Sequence, residues 1–353
     1  MTDTPYVLFV VPTYNRAHDL PRTLGAIGAQ DWPADRMGIL VVDNASTDDT
    51  TAVLADLRGR LPCTLEHLRK EPEGPTVARN IGLARGRDGL VALVDSDVAL
   101  DAGWTRATVG ALLADPALAQ VAGRLVFAHD PAILNSYGGA IGRLGLCWDD
   151  MEGEPAARAS EPRDVAWINT AAVLVRPGPA LAVGGFDRAF FYGYEEPDFG
   201  LRLAIAGWRS RVIPEAVAIH HTGTAIGASS QEIVFHYTKN RIRMGLKSLG
   251  AGRLSVFLAL NLAYGVLDAI VNPPRAARWR ALWWNLVHIG ETLALRRAAQ
   301  AERRVPDRVA MARWSDAWFP PRRLRGLRRR PVSGNVRVEG ARDDRVAPSG
   351  AGG

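Results

Sequence analysis

Leu90-Val91-Ala92-Leu93-Val94-Asp95-Ser96-Asp97 is the segment from which the architecture of this chain is best inferred. Its apolar first part predicts a short buried strand over 90–94. Alternate residues of an extended chain point to the same side, so Asp95 and Asp97 are expected in one crevice, with Ser96 turned away. A hard divalent cation would relieve their repulsion, since Mg²⁺ or Mn²⁺ prefers oxygen ligands. A solvated turn after a strand is the alternative, and the remaining sequence decides between the two.

Apolar runs alternate with helical periodicity through the first quarter of the chain. Strands are predicted at 6–11, 38–42, 64–68 and 90–94, with helices at 17–29, from about 50 to 61 and at 76–85. This alternation predicts βαβ units and an α/β fold, with a mostly parallel sheet flanked by helices. Ligands of such sheets bind beyond the carboxyl ends of the strands, where Tyr14, Asp43 and Asp95 fall. Neither a Gly-x-Gly-x-x-Gly motif nor a Gly-Lys-Ser/Thr loop follows the first strand, which disfavours dehydrogenase and P-loop folds.

Charge divides the chain into an acidic front and a basic end. The 353 residues carry a net charge of +6, yet residues 241–353 hold 22 Lys and Arg against 8 Asp and Glu. A basic end predicts contact with an anionic surface. A membrane is favoured over nucleic acid because zinc-finger and RNA-binding motifs are absent from the sequence. Two cysteines and no visible signal peptide predict a cytoplasmic protein with reduced thiols.

The second half is less regular. Residues 136–164 are rich in glycine and polar residues, which predicts a mobile loop that closes over a site and selects the acceptor. Strands are predicted at 171–175, 209–213 and 216–219. A helix should begin at Glu195, with Pro197 in its first turn, and end near Gly207.

From residue 230 onward the pattern is helical. Residues 254–271 are nearly long enough to span a bilayer, but Asn261, Gly265 and Asp268 interrupt the apolar run. Trp279 and Trp283, mixed with arginines, are typical of a helix lying at a membrane interface. Helices packed on the preceding domain are an equally good interpretation. The tail at 331–353 is predicted to be disordered.

Taken together, these motifs resemble the family 2 glycosyltransferases, which have the GT-A fold, and within them the rhamnosyl- and galactofuranosyl-transferase type. The matching motifs lie at 11–16, 41–48, 78–80, 95–97, 184–187, 195–203, 207–208 and His220. The resemblance implies a GT-A domain at 1–245, with a donor half at 1–130 and an acceptor half at 131–245. A helical basic region at 246–330 and the tail would follow.

The resemblance implies a role for each matching residue. In the donor site it places Pro12, Tyr14, Arg16, Asp43, Asn44, Arg79, Asn80, Asp95 and Ser96. Asp43 would accept a hydrogen bond from the nucleobase, Arg79 would pair with phosphate or with Asp95, and Asn80 would support Arg79.

The same resemblance assigns the metal and the base. Asp97 and His220, with Asp95 beside them, would hold Mg²⁺ or Mn²⁺, and His221 is the second choice for the histidine ligand. Glu196 occupies the position of the catalytic base, and Asp198 is the fallback. The family usually has Glu-Asp or Asp-Asp where this chain has Glu195-Glu196.

The expected activity is inverting, metal-dependent transfer of a sugar from a nucleotide-diphosphate-sugar to a hydroxyl of a glycan or lipid-linked glycan, in the manner of cell envelope polysaccharide biosynthesis. The processive motif Gln-x-x-Arg-Trp is absent, since Arg275 stands where its Gln would be, so transfer should be non-processive. The alternatives are a catalytically inactive nucleotide-sugar or glycan-binding protein, and a sugar-phosphate nucleotidyltransferase. Sugar-phosphate nucleotidyltransferases share a glycine-rich loop after the first strand, and this chain lacks such a loop.

Overall fold

A ten-stranded mixed sheet, covered by helices on both faces, forms the centre of the protein. The computed structural model describes residues 4–222 and 230–321. The strands are β1 (Val7–Thr13), β2 (Met37–Asp43), β3 (Thr64–Arg69), β4 (Leu90–Val94), β5 (Val98–Leu100), β6 (Leu118–Phe127), β7 (Asp130–Ser136), β8 (Gly139–Ile141), β9 (Cys147–Asp149), β10 (Arg163–Val165), β11 (Ala172–Val175) and β12 (Arg209–His220). The helices are α1 (Leu20–Gly28), α2 (Thr50–Leu57), α3 (Pro75–Arg85), α4 (Trp104–Ala114), α5 (Pro177–Ala182), α6 (Glu195–Ile205), α7 (Ser230–Ser248), α8 (Ala251–Val271), α9 (Arg275–Val287), α10 (Ile289–Ala301) and α11 (Asp307–Ala310).

The donor half confirms the βαβ prediction. Strands β3, β2, β1 and β4 lie side by side and run parallel, with Val10 of β1 opposite Leu40 of β2 and Leu93 of β4. Alternation along β1 fills both faces of the sheet, since Phe9 packs with α1 and Val10 packs with α3. The carboxyl ends of β1, β2 and β4 therefore meet at one edge.

The prediction of a mostly parallel sheet is confirmed for the nucleotide-binding half, and beyond β4 the sheet is mixed. Strand β11 lies antiparallel between β4 and β6, while β12 runs parallel to β6. The apolar pattern at 171–175 indicates a strand correctly but contains no information on its direction. The two strands predicted at 209–213 and 216–219 are one strand, β12, with a register shift between Val212 and Val217.

Residues 136–164 were predicted to form a mobile loop, and the structure instead builds them into β8, β9, a 3-10 turn at Ala156–Arg158 and β10. The glycines serve close packing here. A Cβ on Gly139 would lie 1.9 Å from the ring of Trp167, and the indole N–H of Trp167 donates to the Ala140 carbonyl at 3.1 Å. Glycine at this position permits the contact that orders the segment.

The C-terminal helices are fastened to the domain by buried ion pairs. Asp187 pairs with Arg243 of α7 at 3.0 Å and with Lys247 of α7 at 2.6 Å. Lys247 also reaches Asp198 of α6 at 2.9 Å, and Asp198 pairs with Arg202 at 2.7 Å. The predicted domain boundary at residue 245 lies inside α7. These pairs pack α7 on the preceding domain.

Substitution of Asp187 is expected to destabilise the fold strongly at neutral pH. Burial alone would raise the pKa of Asp187, but Lys247 and Arg243 outweigh it and hold that pKa well below 3.8. A carboxyl with a lowered folded pKa contributes its full stability above the unfolded value, and this contribution is lost as pH falls below about 4. Asp187→Ala should therefore lower the free energy of unfolding by about 3–5 kcal/mol at pH 7.

Urea denaturation at pH 7, and at a series of values falling below pH 4, measures both effects. The difference between wild type and variant should shrink towards acid pH. The matched control is Asp316→Ala, since Asp316 forms an ion pair with Arg143 but its side chain is 97% exposed. Equal stability losses in the two variants would contradict a structural role for the buried pairs.

Candidate active site

The turn after β4 is fixed by backbone hydrogen bonds to its neighbours. The N–H of Asp95 donates to the Ala171 carbonyl at 3.0 Å, just before β11. The carbonyl of Asp97 accepts from the His221 N–H at 2.9 Å, just after β12. Ser96 is buried, and its carbonyl accepts a hydrogen bond from Thr23 of α1. Residues from three strands therefore converge on this edge of the sheet.

Asp97 and His220 form a pair at this edge. The Nε2 atom of His220 lies 3.4 Å from Asp97 Oδ1, and Arg16 Nη2 lies 3.8 Å from the other carboxylate oxygen. On the far side of the ring, His220 Nδ1 lies 2.7 Å from Oδ1 of Asn135, in β7. An amide oxygen only accepts, so Nδ1 donates its proton to Asn135, while Asp97 outweighs burial and raises the pKa of His220, which favours a second proton on the Nε2 atom that faces Asp97. Burial tends to raise the pKa of Asp97, but His220 outweighs it and lowers that pKa.

Asp95 pairs with Arg79. Its Oδ1 atom lies 3.1 Å from Nη2 of Arg79, which is one of the two partners predicted for Arg79. Within residues 4–222 and 230–321, no three His, Cys, Asp or Glu side chains are arranged to hold a metal ion. The predicted ligand set is therefore only partly assembled, with Asp97 and His220 together and Asp95 engaged by Arg79. The side chain of His221 is half-buried beside them.

Arg79 connects the β4 turn to the first turn of α6. It is 4% exposed, and its Nη1 lies 3.7 Å from the Glu195 carboxylate. Asn80, predicted to support Arg79, instead uses both ends of its amide on the backbone of Phe186 at 2.8 Å each. The amide of Asn80 therefore holds the 184–187 turn and is occupied.

Glu196 is brought to the same edge by Thr170. The Thr170 hydroxyl donates to Glu196 Oε1 at 2.8 Å, and the next residue, Ala171, accepts the hydrogen bond from Asp95. Glu196 remains partly exposed, whereas Glu195 is buried. Gly193 and Tyr194, with φ of 71° and 72°, turn the chain into α6 immediately before the two acids. The left-handed conformation is rare for a bulky residue such as Tyr194 and is typical of functional sites.

The surroundings of Glu195 and Glu196 favour the proton on one acid and the charge on the other. Burial, reinforced by the charge of Glu196, raises the pKa of Glu195 to about 8, against the lowering effect of Arg79. Burial also raises the pKa of Glu196, while Arg79 and the Thr170 hydroxyl lower it. Because the hydroxyl donates only to Glu196, the charge is favoured there and the proton on Glu195. The arrangement leaves one partly exposed carboxylate able to accept a proton.

Asp198, the fallback for the base, is not brought to this cluster. Its side chain is fully buried, and Arg202 and Lys247 occupy its carboxylate. Sequence reasoning identified the acid-rich start of the helix but not which acids point inward.

The predicted nucleotide pocket lies at the ends of β1 and β2. Tyr14 and Pro12 are partly exposed at the end of β1. Asp43 is fully buried, and it accepts from the Ser46 N–H at 2.8 Å and from Arg69 Nη1 at 3.3 Å. Asp43 thus shapes the loop after β2, and its hydrogen bond to a nucleobase stays a prediction. Asn44 is tied to the Thr13 carbonyl through its backbone N–H at 2.9 Å.

Comparison with known proteins places this site in a family. The model of Glycosyl transferase family 2 matches residues 8–136. A pre-mycofactocin glycosyltransferase of Mycobacterium tuberculosis is 30% identical over 226 residues, which are 62% of this chain and 43% of that protein. An N-acetylglucosaminyl-diphospho-decaprenol L-rhamnosyltransferase of the same organism is 31% identical over 253 residues, 64% of this chain and 79% of that protein. The chain thus spans less than half of the first relative and most of the second.

A solved structure supports the fold. The mannosyltransferase PcManGT from Pyrobaculum calidifontis, in complex with GDP-Man and Mn²⁺, superposes with a TM-score of 0.51 at 20% identity, covering 85% of this chain and 87% of that one. That likeness confirms the predicted GT-A fold. The family model matches this chain, and the chain covers 79% of a rhamnosyltransferase to which it is 31% identical. This chain therefore belongs to glycosyltransferase family 2.

Proposed function

We propose that the protein transfers a sugar from a nucleotide-diphosphate-sugar to a hydroxyl of a glycan or lipid-linked glycan, with inversion at the anomeric carbon. One observation carries the proposal: Thr170 holds a partly exposed Glu196 at the sheet edge where Asp95, Asp97 and His220 converge. Such a reaction requires two parts at one edge. The first is a proton acceptor, and the second is a group of residues that binds the donor diphosphate, which we call the phosphate-side cluster and assign to Asp97 and His220.

A divalent cation fits the phosphate side of the site. Asp97 offers a carboxylate whose pKa is lowered, and His220, oriented by Asn135 through Nδ1, would offer the Nε2 lone pair to the cation once Nε2 gives up its proton. Mixed oxygen and imidazole ligation suits Mn²⁺ and allows Mg²⁺. When bound, the cation would offset the charge that develops on the departing diphosphate. Phosphate oxygens of the donor and water would complete its ligands.

Glu196 would act on the acceptor. Its carboxylate takes the proton of the acceptor hydroxyl while that oxygen bonds to the anomeric carbon and the bond from this carbon to the diphosphate oxygen breaks. Attack from the face opposite the diphosphate inverts the anomeric configuration. Arg79 remains paired with Asp95 and stabilises the anionic cluster on which the donor rests.

Relatives suggest the class of substrate. The rhamnosyltransferase of Mycobacterium tuberculosis acts, by its name, on a diphospho-decaprenol carrier, and PcManGT binds GDP-Man. We infer a lipid-linked acceptor and non-processive transfer. We place the reaction at the cytoplasmic face of the membrane, because Cys63 and Cys147 are both buried free thiols, as in proteins of a reducing compartment.

Slow hydrolysis of the donor tests the proposal without an acceptor. A panel of UDP-, GDP- and dTDP-sugars is incubated with the protein and Mn²⁺ or Mg²⁺, and released nucleoside diphosphate is measured. We expect one donor to be consumed, with the rate abolished by EDTA. Failure of every donor to hydrolyse or to bind in the presence of either metal would contradict the proposal.

A further inference from the structure

The C-terminal helices expose an unusual amount of apolar surface. Among the described residues, fifteen of the nineteen exposed large apolar side chains lie between residues 256 and 319. The best-defined part is on α8 and α9, which pack against each other and against α7. We call it the α8–α9 face, and it consists of Val256, Leu267, Ile270, Trp279, Trp283 and Leu286, each between 46% and 66% exposed.

These residues lie opposite the sides of the helices that face the protein. In α8 the buried residues are Phe257, Asn261, Gly265 and Ala269, spaced by four, and in α9 they are Ala277, Ala281 and Asn285. At 100° per residue, each exposed set is on the opposite side of its own helix. The α8–α9 face therefore consists of the exposed apolar sides of two amphipathic helices and not of scattered apolar residues.

The polar residues that interrupt the α8 sequence form hydrogen bonds with the neighbouring helices. Asn261 accepts from Arg241 Nε of α7 at 2.8 Å, and Asp268 accepts from Arg278 Nε of α9 at 2.5 Å. The polar interruptions therefore do not weaken the outer side of α8. They fix the helix to its neighbours and leave Val256, Leu267 and Ile270 facing outward.

The same contacts decide how α8 would meet a bilayer. By length and composition α8 is apolar enough to cross a membrane, with 21 residues and a mean hydropathy of 1.9. Crossing would separate Asn261 and Asp268 from Arg241 and Arg278 and leave them in hydrocarbon, which is costly. Phe257 is also closely enclosed, since a Cβ on Gly245 would lie 2.1 Å from its ring. The helix is held on the protein, with only one side free.

We propose that the α8–α9 face lies in the surface of an anionic lipid bilayer, with α8 and α9 parallel to the membrane plane. Arginines border the apolar residues, and Arg275 and Arg280 are exposed on α9 beside Trp279 and Trp283. Tryptophan is enriched at the level of lipid head groups, and arginine pairs with their phosphates. This charge pattern favours a bilayer over a second copy of the chain, because a symmetric pair would bring the same arginines together, whereas anionic lipid supplies the opposite charge. The inference is independent of the proposed reaction.

Vesicle flotation of the full-length protein tests the inference. Vesicles of phosphatidylcholine are compared with vesicles that also contain phosphatidylglycerol, with no sugar donor or acceptor present. Wild type should bind the anionic vesicles, and the double variant Leu267→Gln/Ile270→Gln should bind at least about tenfold more weakly. The matched control is Leu113→Gln/Leu181→Gln, because Leu113 and Leu181 are exposed outside the face. This control should bind as wild type does.

Charge and oligomeric state complete the test. Arg275→Gln/Arg280→Gln should weaken binding to the anionic vesicles, and added salt should release the wild type. The inference is overturned if both leucine-containing double variants bind equally, or if salt has no effect. It is also overturned if sedimentation shows a dimer that Leu267→Gln/Ile270→Gln abolishes. Circular dichroism establishes that each variant folds, and donor hydrolysis measured in parallel separates failure of this inference from failure of the proposed reaction.

Discussion

Glu196→Gln is expected to reduce glycosyl transfer by about 10²–10⁴-fold, the range that a positioned general base contributes. The amide keeps the size of the side chain but cannot accept the proton of the acceptor hydroxyl. Donor binding should be retained, because Glu196 contacts Thr170 on the acceptor side and the phosphate-side cluster is formed by Asp97 and His220. Initial rates with donor and acceptor, together with calorimetric titration of the nucleotide, measure the two properties separately.

Three further variants test whether this result is specific to Glu196. Glu195→Gln should cost much less, since burial already raises the pKa of Glu195 to about 8 and the amide imitates its protonated form. Thr170→Val removes one hydrogen bond to the base and should cause a smaller loss than Glu196→Gln. Asp198→Asn should act mainly on stability through Arg202 and Lys247. A larger loss in Glu195→Gln than in Glu196→Gln would contradict the assignment of Glu196 and would make Glu195 the base.

The pH dependence of transfer has a defined direction. A base works only when ionised, and burial raises the pKa of Glu196 above its ordinary value of 4.5. The rate should therefore rise with pH along a limb that lies above pH 4.5. In Glu196→Gln this limb should disappear. A wild-type rate that falls as pH increases through this range would contradict the role of Glu196.

The sequence predicted the donor half closely because its signals are local. Five apolar residues between Gly89 and Asp95 define β4 without error at either end. Asp95 and Asp97 then fall at the edge where parallel strands end, as chain geometry requires. The start of α6 was equally predictable from Glu195 and Pro197. Each of these predictions needs only neighbouring residues.

Features that depend on distant contacts could not be predicted. Asn135 and Thr170 are single polar residues next to or within strands, and no spacing marks them as partners of His220 and Glu196. Asn80 and Asp43 match donor motifs, yet both are occupied by backbone groups that a sequence pattern does not place. The glycine-rich 136–164 segment suggested mobility because the packing of Gly139 on Trp167 is invisible in one dimension.

Asp97→Asn is expected to weaken Mn²⁺ binding in the presence of a nucleoside diphosphate by at least about 100-fold, and with it metal-dependent nucleotide binding. The substitution removes the charged oxygen that faces His220 Nε2 at 3.4 Å, while keeping the shape of the side chain. Electron paramagnetic resonance of free Mn²⁺ during titration measures the affinity directly and needs no turnover. Asp101→Asn is the matched control, because Asp101 is exposed and its carboxylate accepts from Gly103 in its own turn.

Substitutions of Asn135 are expected to change the same Mn²⁺ affinity by a smaller factor. Its Oδ1 lies 2.7 Å from His220 Nδ1, and partners that orient a ligating histidine typically contribute about 10–100-fold to metal affinity. Asn135→Leu should lose that factor, because the imidazole is then free to turn or to change tautomer. Asn135→Asp should retain the affinity, since a carboxylate also accepts from Nδ1–H. If Asn135→Leu binds Mn²⁺ as wild type does while Asp97→Asn does not, then Asp97 holds the ion without His220, and the ligand beside it must be sought at His221.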